Sequence, residues 1–195
     1  MSNKKKIKIE ITNIVKSSIN EFYDNFLRLR ENHSEKDTVL VREKEYYKNC
    51  LCFYVAKHKD IVVGTVAVTN DNEIVSLLTD NENYYHVGSS LMVAAVIGGG
   101  RKLDCYNVNR LRIIYHRLGF VPVAKVVLPK NHQLYLYNSE RDCEILYWIF
   151  NEDSGFPFRT PIYDESKEVI KEFTTTLEAE KYRDSLILKH YSKSA

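Results

Sequence analysis

Residues 50 to 79 run through CLCFYVAKH, DIVVGTVAV and EIVSLLT, three β-branched and aromatic segments in close succession. This series constrains the fold more than any other feature of the chain. The first two runs are parted by Lys59 and Asp60 and read as an antiparallel hairpin, and EIVSLLT, residues 73 to 79, is a third strand beside them. Upstream, KIKIEI (residues 6 to 11) alternates polar and apolar as a half-buried strand does. IVKSSINEFYDNFLRLREN then has helical spacing, with Ile19, Phe22, Phe26 and Leu29 at intervals of three and four. Downstream, VGSSLMVAAVI reads as a helix, RKLDCYNV as a strand, NRLRIIYHRLG as a helix, and FVPVAKVVL and CEILYWIF as strands. The order is strand, helix, three strands, helix, strand, helix, two strands, which makes the fold class α+β.

Composition limits the function classes. A chain of 195 residues with 44% hydrophobic and 28% charged residues can bury a core as one domain of ordinary size with a small appendage. No window approaches the roughly 18 apolar residues a membrane span needs. The start, MSNKKKIKIEIT, is basic and then alternating, without the apolar core of a signal peptide, so the expected compartment is the cytoplasm. Cys50, Cys52, Cys105 and Cys143 include one C-x-C pair but no C-x-x-C and no histidine at zinc-ligand spacing. They read as reduced thiols, mostly buried, and no metal is expected. A net charge of +2 is too small to argue for nucleic acid or a membrane surface.

The chain has 7 glycines, and four of them, Gly88, Gly98, Gly99 and Gly100, bracket one short apolar run. The last three are a stop signal, consistent with a left-handed helix cap and a tight turn. Gly88-Ser89-Ser90 sits where a polar loop meets the start of a helix, and there the first amides lack intrahelical partners and the dipole favours anions. Two readings stay open. The serines cap the helix, or the glycine admits a phosphate close to the backbone while the serines add hydroxyl donors.

NYYHVGSSLM, residues 83 to 92, followed by RKLDCYNVNRLRIIYHRLGFVPVAKV, resembles the GNAT superfamily of acyl-CoA-dependent N-acetyltransferases. In that family Q/R-x-x-G-x-G/A leads into the helix under the cofactor pyrophosphate, and Y-x-x-x-G-F closes the site. Gly88 falls on the second signature glycine, and Tyr115 to Phe120 fall on the second element. The likeness covers roughly residues 50 to 150, and the strand order matches. Asn83 stands where the family has glutamine or arginine, and His86 replaces the first glycine. A side chain at 86 either narrows the space for the pyrophosphate or donates to it. Asn107 and Asn109 flank the position of the family's asparagine, one residue off on either side.

The resemblance implies a GNAT-like, mostly antiparallel twisted sheet flanked by helices. It implies transfer of an acetyl group from acetyl-CoA to a primary amine by direct attack, on a small-molecule or peptide acceptor. Backbone groups at Leu77, Leu78 and Thr79 are expected to hold the pantetheine arm, and amides of Val87, Gly88, Ser89 and Ser90 the pyrophosphate, with His86 and Asn109 as further cofactor contacts. Tyr115 is the expected proton donor to the leaving thiolate, although Leu111, Ile114, Tyr115 and Leu118 also make one helical stripe that suits a core. Glu73 is the expected base, because it begins its strand much as a catalytic glutamate does in the histone acetyltransferase branch. The same residue after Asp71-Asn72 also reads as turn chemistry. His86 and Ser76 are the substitutes.

The acetyltransferase domain is expected over residues 1–151, with 152–195 a ββα extension that packs on the core, forms a lid or makes a homodimer contact. TPIYD and EVIKEF read as a hairpin, and Thr175 or Thr176 caps a helix whose Leu177, Tyr182, Leu186 and Tyr191 face inward. Seven positive and nine negative side chains in that segment leave −2, a poor footprint for nucleic acid. Two other readings remain: a GNAT-shaped binding or regulatory module without catalysis, and a nucleic-acid-associated protein using this extension and Lys4-Lys5-Lys6.

Overall fold

A computed structural model describes residues 13–33, 36, 39–80, 84–129, 143–156 and 169–191, and the chain divides into two units, residues 1–101 and 102–195, each with its own sheet. In the first unit, strand β1 (Asn13–Lys16) leads to helix α1 (Ile19–Glu31), a short 3-10 helix (Lys44–Asn49), strands β2 (Cys50–His58), β3 (Ile61–Thr69) and β4 (Ile74–Thr79), and helix α2 (Val87–Ile97). The strands pair antiparallel in the order β1-β2-β3-β4, so β4 is an edge. The hairpin at Lys59 and Asp60 forms as expected, with His58 opposite Ile61 and Lys59 at a φ of 55°.

The expected strand at residues 6 to 11 lies outside the described residues. Ile14 to Lys16, which their spacing had joined to the helix, are strand instead. They pair with Tyr54 to Ala56, and the helix starts only after Ser18, whose hydroxyl accepts the Glu21 N–H at 3.2 Å.

Each face of this sheet is covered by one helix. α1 buries Phe22, Phe26 and Leu29 against Tyr47, Val55, Val62, Ala67 and Leu78. Each such side chain contributes about 1.5–3 kcal/mol. α2 lies on the other face, and glycines set how closely. A Cβ on Gly64 of β3 would sit 2.6 Å from Val87 Cγ1 and 2.8 Å from Leu91 Cδ1, and one on Gly98 would sit 2.6 Å from the Tyr54 hydroxyl. The left-handed cap expected at the glycine triplet falls on Gly99, at a φ of 103°. The Gly99 N–H donates to Val96 at 3.1 Å and the Gly100 N–H to Ala95 at 2.8 Å, a Schellman arrangement.

The second unit holds β5 (Lys102–Tyr106), α3 (Asn109–Arg117), β6 (Phe120–Val127), β7 (Glu144–Phe150), β8 (Lys171–Phe173) and α4 (Thr176–Tyr191), with sheet order β5-β7-β6-β8. All pairings are antiparallel except β6 with β8. TPIYD, expected to form a hairpin with EVIKEF, lies outside the described residues, and Lys171 to Phe173 pair in parallel with Ala124 to Val126.

Thr175 caps α4 as expected, accepting the Glu178 N–H at 3.3 Å while the Glu178 carboxylate accepts from the Thr175 amide at 3.2 Å. The inward face differs from expectation. Leu177 is exposed, Leu186 is half-buried, and the side chain of Tyr191 is outside the described set. Tyr182 does pack inward as expected, joined by Ala179, on Ala124, Val126, Tyr147 and Phe173, with Arg183 buried over the Tyr147 ring. The buried Lys102 ammonium meets Asp184 of α4 at 3.0 Å.

Among the described residues, no helix is long and apolar enough to cross a membrane, and the four cysteines form no disulfide. Two of the thiols are half-buried, not fully buried.

Gly64→Ala is expected to cost about 1–3 kcal/mol in urea unfolding, because the added methyl enters the α2 contact. Alkaline pH offers a second check. Burial pushes Cys50 from its ordinary 9.0 up to about 11, Cys105 from 9.0 to about 12, and Tyr46 from 10.0 to about 12. These groups stay protonated in the fold at pH values where the unfolded chain has released their protons. Stability is therefore expected to hold below about pH 9 and to fall steadily towards pH 12, measured as the urea midpoint against pH.

Candidate functional site

β4 departs from a regular strand at its centre. Thr65 pairs with Leu78 and Ala67 with Val75, so Ser76 and Leu77 together oppose Val66: a β-bulge on an edge strand. Without the extra residue, Val75 and Leu78 would point to opposite faces. With it, both pack on the α1 side, while Ile74 and Thr79 lie on the α2 side beside Gly100 and Gly64. Ser76 takes a left-handed φ of 53° to achieve this. Its hydroxyl oxygen is 2.6 Å from that of Tyr47, and its carbonyl accepts from the Thr65 hydroxyl at 3.4 Å. Ser76 is therefore committed to Tyr47, and not poised as a base.

α2 begins just beyond β4. His86, the residue before its first turn, has a left-handed φ of 63°, an exposed side chain and no capping hydrogen bond. The position that departs from the glycine signature thus keeps the backbone conformation a glycine favours. The Ser90 amide donates to the His86 carbonyl at 3.1 Å, inside the helix. Among the described residues, the amides of Val87, Gly88 and Ser89 and the hydroxyls of Ser89 and Ser90 make no hydrogen bond. The first turn carries no acidic residue. A Cβ on Gly88 would meet only Thr79 Cγ2, at 3.9 Å, so packing does not demand glycine there. Three amides, two hydroxyls and open space at Gly88 are donors of the kind a pyrophosphate takes at a helix start.

Glu73 stands at the opposite end of β4 from this helix start. Its amide donates to the Thr69 hydroxyl at 2.9 Å, and its carbonyl accepts from the Thr69 N–H at 2.9 Å, so the backbone serves the β3–β4 turn. Its half-buried carboxylate lies close enough to Tyr46 to raise that phenol.

In the second unit, Tyr115 of α3 is buried, with its ring edge-on to Trp148 at 5.6 Å and to Phe120 at 6.3 Å. Its hydroxyl makes no hydrogen bond among the described residues. Burial, with Cys105 and Asp104 nearby, holds this phenol protonated well above the usual tyrosine range. The Trp148 N–H faces the Cys105 sulfur without reaching normal hydrogen-bond geometry. Asn107 fixes the approach to α3, since its side-chain amide donates to Glu144 at 2.6 Å and its backbone N–H donates to the Glu144 carbonyl at 2.8 Å. Glu144 also pairs with Lys125 at 2.7 Å. Asn109 opens α3, and its side chain lies outside what is described, as does Asn83.

Reading by residue type missed Tyr47 and Gly64. An isolated glycine inside a strand-like run is a signal of close backbone approach, and it was available at position 64. Nothing in the sequence ties Tyr47 to Ser76, 29 positions away.

No family model and no curated protein matches the chain. Solved structures do. A ribosomal-protein-alanine N-acetyltransferase from Brucella melitensis aligns over 70% of this chain and 97% of its own, with a TM-score of 0.50 and 10% identity. An IAA acetyltransferase from Bacillus cereus aligns over 71% and 97%, with a TM-score of 0.48 and 15% identity. A Bacillus subtilis acetyltransferase in complex with CoA aligns over 71% and 97%, with a TM-score of 0.45 and 17% identity. At such identities the likeness is one of fold. The chain has an antiparallel sheet, a mixed sheet and flanking helices, matching the GNAT fold.

Gly88→Ala is expected to stabilise the protein by up to about 1 kcal/mol in urea unfolding, because alanine is the better helix former and the space is there. A loss of stability would mean that position 88 is packed after all.

Proposed function

We propose that the chain is a member of the GNAT superfamily and transfers an acetyl group from acetyl-CoA to a primary amine. The observation that carries this reading is the start of α2: amides of Val87, Gly88 and Ser89 and two seryl hydroxyls that have no partner among the described residues, next to an edge strand, in a GNAT fold. A plain helix cap does not account for it, since His86 makes no capping hydrogen bond and neither serine hydroxyl turns back to the backbone.

The three amides and the Ser89 and Ser90 hydroxyls hold the pyrophosphate, and the edge of β4 at Leu77, Leu78 and Thr79 receives the pantetheine arm as an added strand would lie. His86 adds a contact beside the helix start. When bound, acetyl-CoA supplies an acyl carbon activated as a thioester. The acceptor must attack as a neutral amine, so a group on the chain takes its proton, directly or through water. Glu73 has that role. As the new C–N bond forms and the C–S bond breaks, the departing sulfur needs a proton, and Tyr115 donates it from a phenol that burial keeps protonated at neutral pH. The acceptor is a small-molecule or peptide amine. Residues 1–151 form the catalytic domain, with 152–195 an extension packed on it.

Calorimetry with coenzyme A and acetyl-CoA is expected to show saturable binding that Gly88→Trp abolishes. Absence of binding to the unaltered protein would return the stretch to an ordinary helix start and favour a binding module without catalysis. In turnover assays, Tyr115→Phe is expected to lower kcat by about 10²-fold with cofactor affinity unchanged, and unaltered turnover would remove Tyr115 from the mechanism.

A further inference from the structure

We infer that Tyr47 is a positioning residue: its hydroxyl holds Ser76 in the left-handed conformation that makes the β4 bulge, and the bulge shapes the strand edge along which the pantetheine arm lies. The inference rests on the acetyl-CoA reading above.

Serine does not favour a φ of 53° within a strand, so the surrounding structure has to over-determine it. Two contacts do so. The Tyr47 hydroxyl meets the Ser76 hydroxyl at 2.6 Å from one side, and the Thr65 hydroxyl reaches the Ser76 carbonyl at 3.4 Å from the other. Tyr47 itself has no freedom to move. It is fully buried on the short helix before β2, with ring centroids of Phe22 at 5.2 Å, Tyr46 at 5.3 Å and Tyr23 at 5.6 Å around it. A buried phenol needs a partner for its hydroxyl, and here that partner is the one strained residue of the edge strand. The rigid aromatic cluster under the sheet therefore sets the local path of β4. Because the bulge re-phases the strand, it also decides that Leu78 faces α1 and Thr79 faces α2.

The hydroxyl can be separated from the packing, since phenylalanine at 47 keeps the ring. Calorimetry would compare coenzyme A with adenosine 3′-phosphate 5′-diphosphate, which carries the pyrophosphate but no pantetheine arm. Tyr47→Phe is expected to weaken coenzyme A on the order of tenfold, the effect of one lost hydrogen bond, and to leave the nucleotide unchanged. Ser76→Ala removes the same bond from the other side and is expected to match it. Ser76→Gly accepts the left-handed backbone without help, so adding Tyr47→Phe to it is expected to change nothing further. Unchanged coenzyme A binding in Tyr47→Phe, equal loss of both ligands, or a full additional loss in the Ser76→Gly background would each overturn the inference while leaving the acetyl-CoA reading intact. If the unaltered protein binds neither ligand, both readings fall together.

Discussion

The distance between α2 and its sheet governs the first unit. Val87 and Leu91 lie where a side chain on Gly64 would be, and Gly98 and Gly100 admit Tyr54 and Ile74 at the other end of the same helix. A helix held against bare backbone at both ends can neither slide nor tilt, because interiors packed at this density do not yield by fractions of an ångström. The Schellman turn through Gly99 then fixes where the helix stops. The unbonded amides at its start are consequently delivered to one place beside the end of β4. Pre-organisation of that kind is what allows a neutral backbone to bind an anion well without a lysine or arginine on the first turn.

Two of the four described non-glycine left-handed residues of this unit stand on either side of that place; the other two, Lys59 and Asn72, lie in the β2–β3 and β3–β4 connections. Ser76 and His86 both have left-handed backbones, one in the edge strand and one at the helix start, and neither is glycine. Such residues persist only where neighbours enforce them, and they gather at sites where the chain has to present its backbone outward. The region between them contains Leu77, Leu78 and Thr79, the segment whose main chain is proposed to meet the cosubstrate. Tyr115 in the second unit has a different logic. Its ring is locked edge-on against Trp148 and Phe120, and its hydroxyl makes no hydrogen bond among the described residues.

The element order was legible because apolar period and turn residues agree along most of the chain. Lys59-Asp60, the glycine triplet and Thr175 all do locally what their chemistry suggests. Reading failed where pairing with a distant segment decided the outcome. Ile14 to Lys16 keep a helical spacing yet are strand, because β2 offers them a ladder. Leu177 suits a buried face by type, but α4 turns Ala179 and Arg183 inward to meet Tyr147. The start of α2 could be read from its residues in two ways, as a cap or as an anion site, because residue type does not say whether the hydroxyls of Ser89 and Ser90 turn back on the helix. The bulge in β4 left no mark, since VSLL has nothing a regular strand lacks.

The salt bridge between Lys102 and Asp184 links the first residue of β5 to α4 across 82 positions of sequence. Lys102 is nearly inaccessible, and an ammonium buried there without its carboxylate is strongly disfavoured. During synthesis, β5 emerges long before α4 does. The strands of the first unit pair in chain order, whereas the ladder and the ion pair that hold β5 come from β7 and α4, so the second unit closes only once most of its chain has been made.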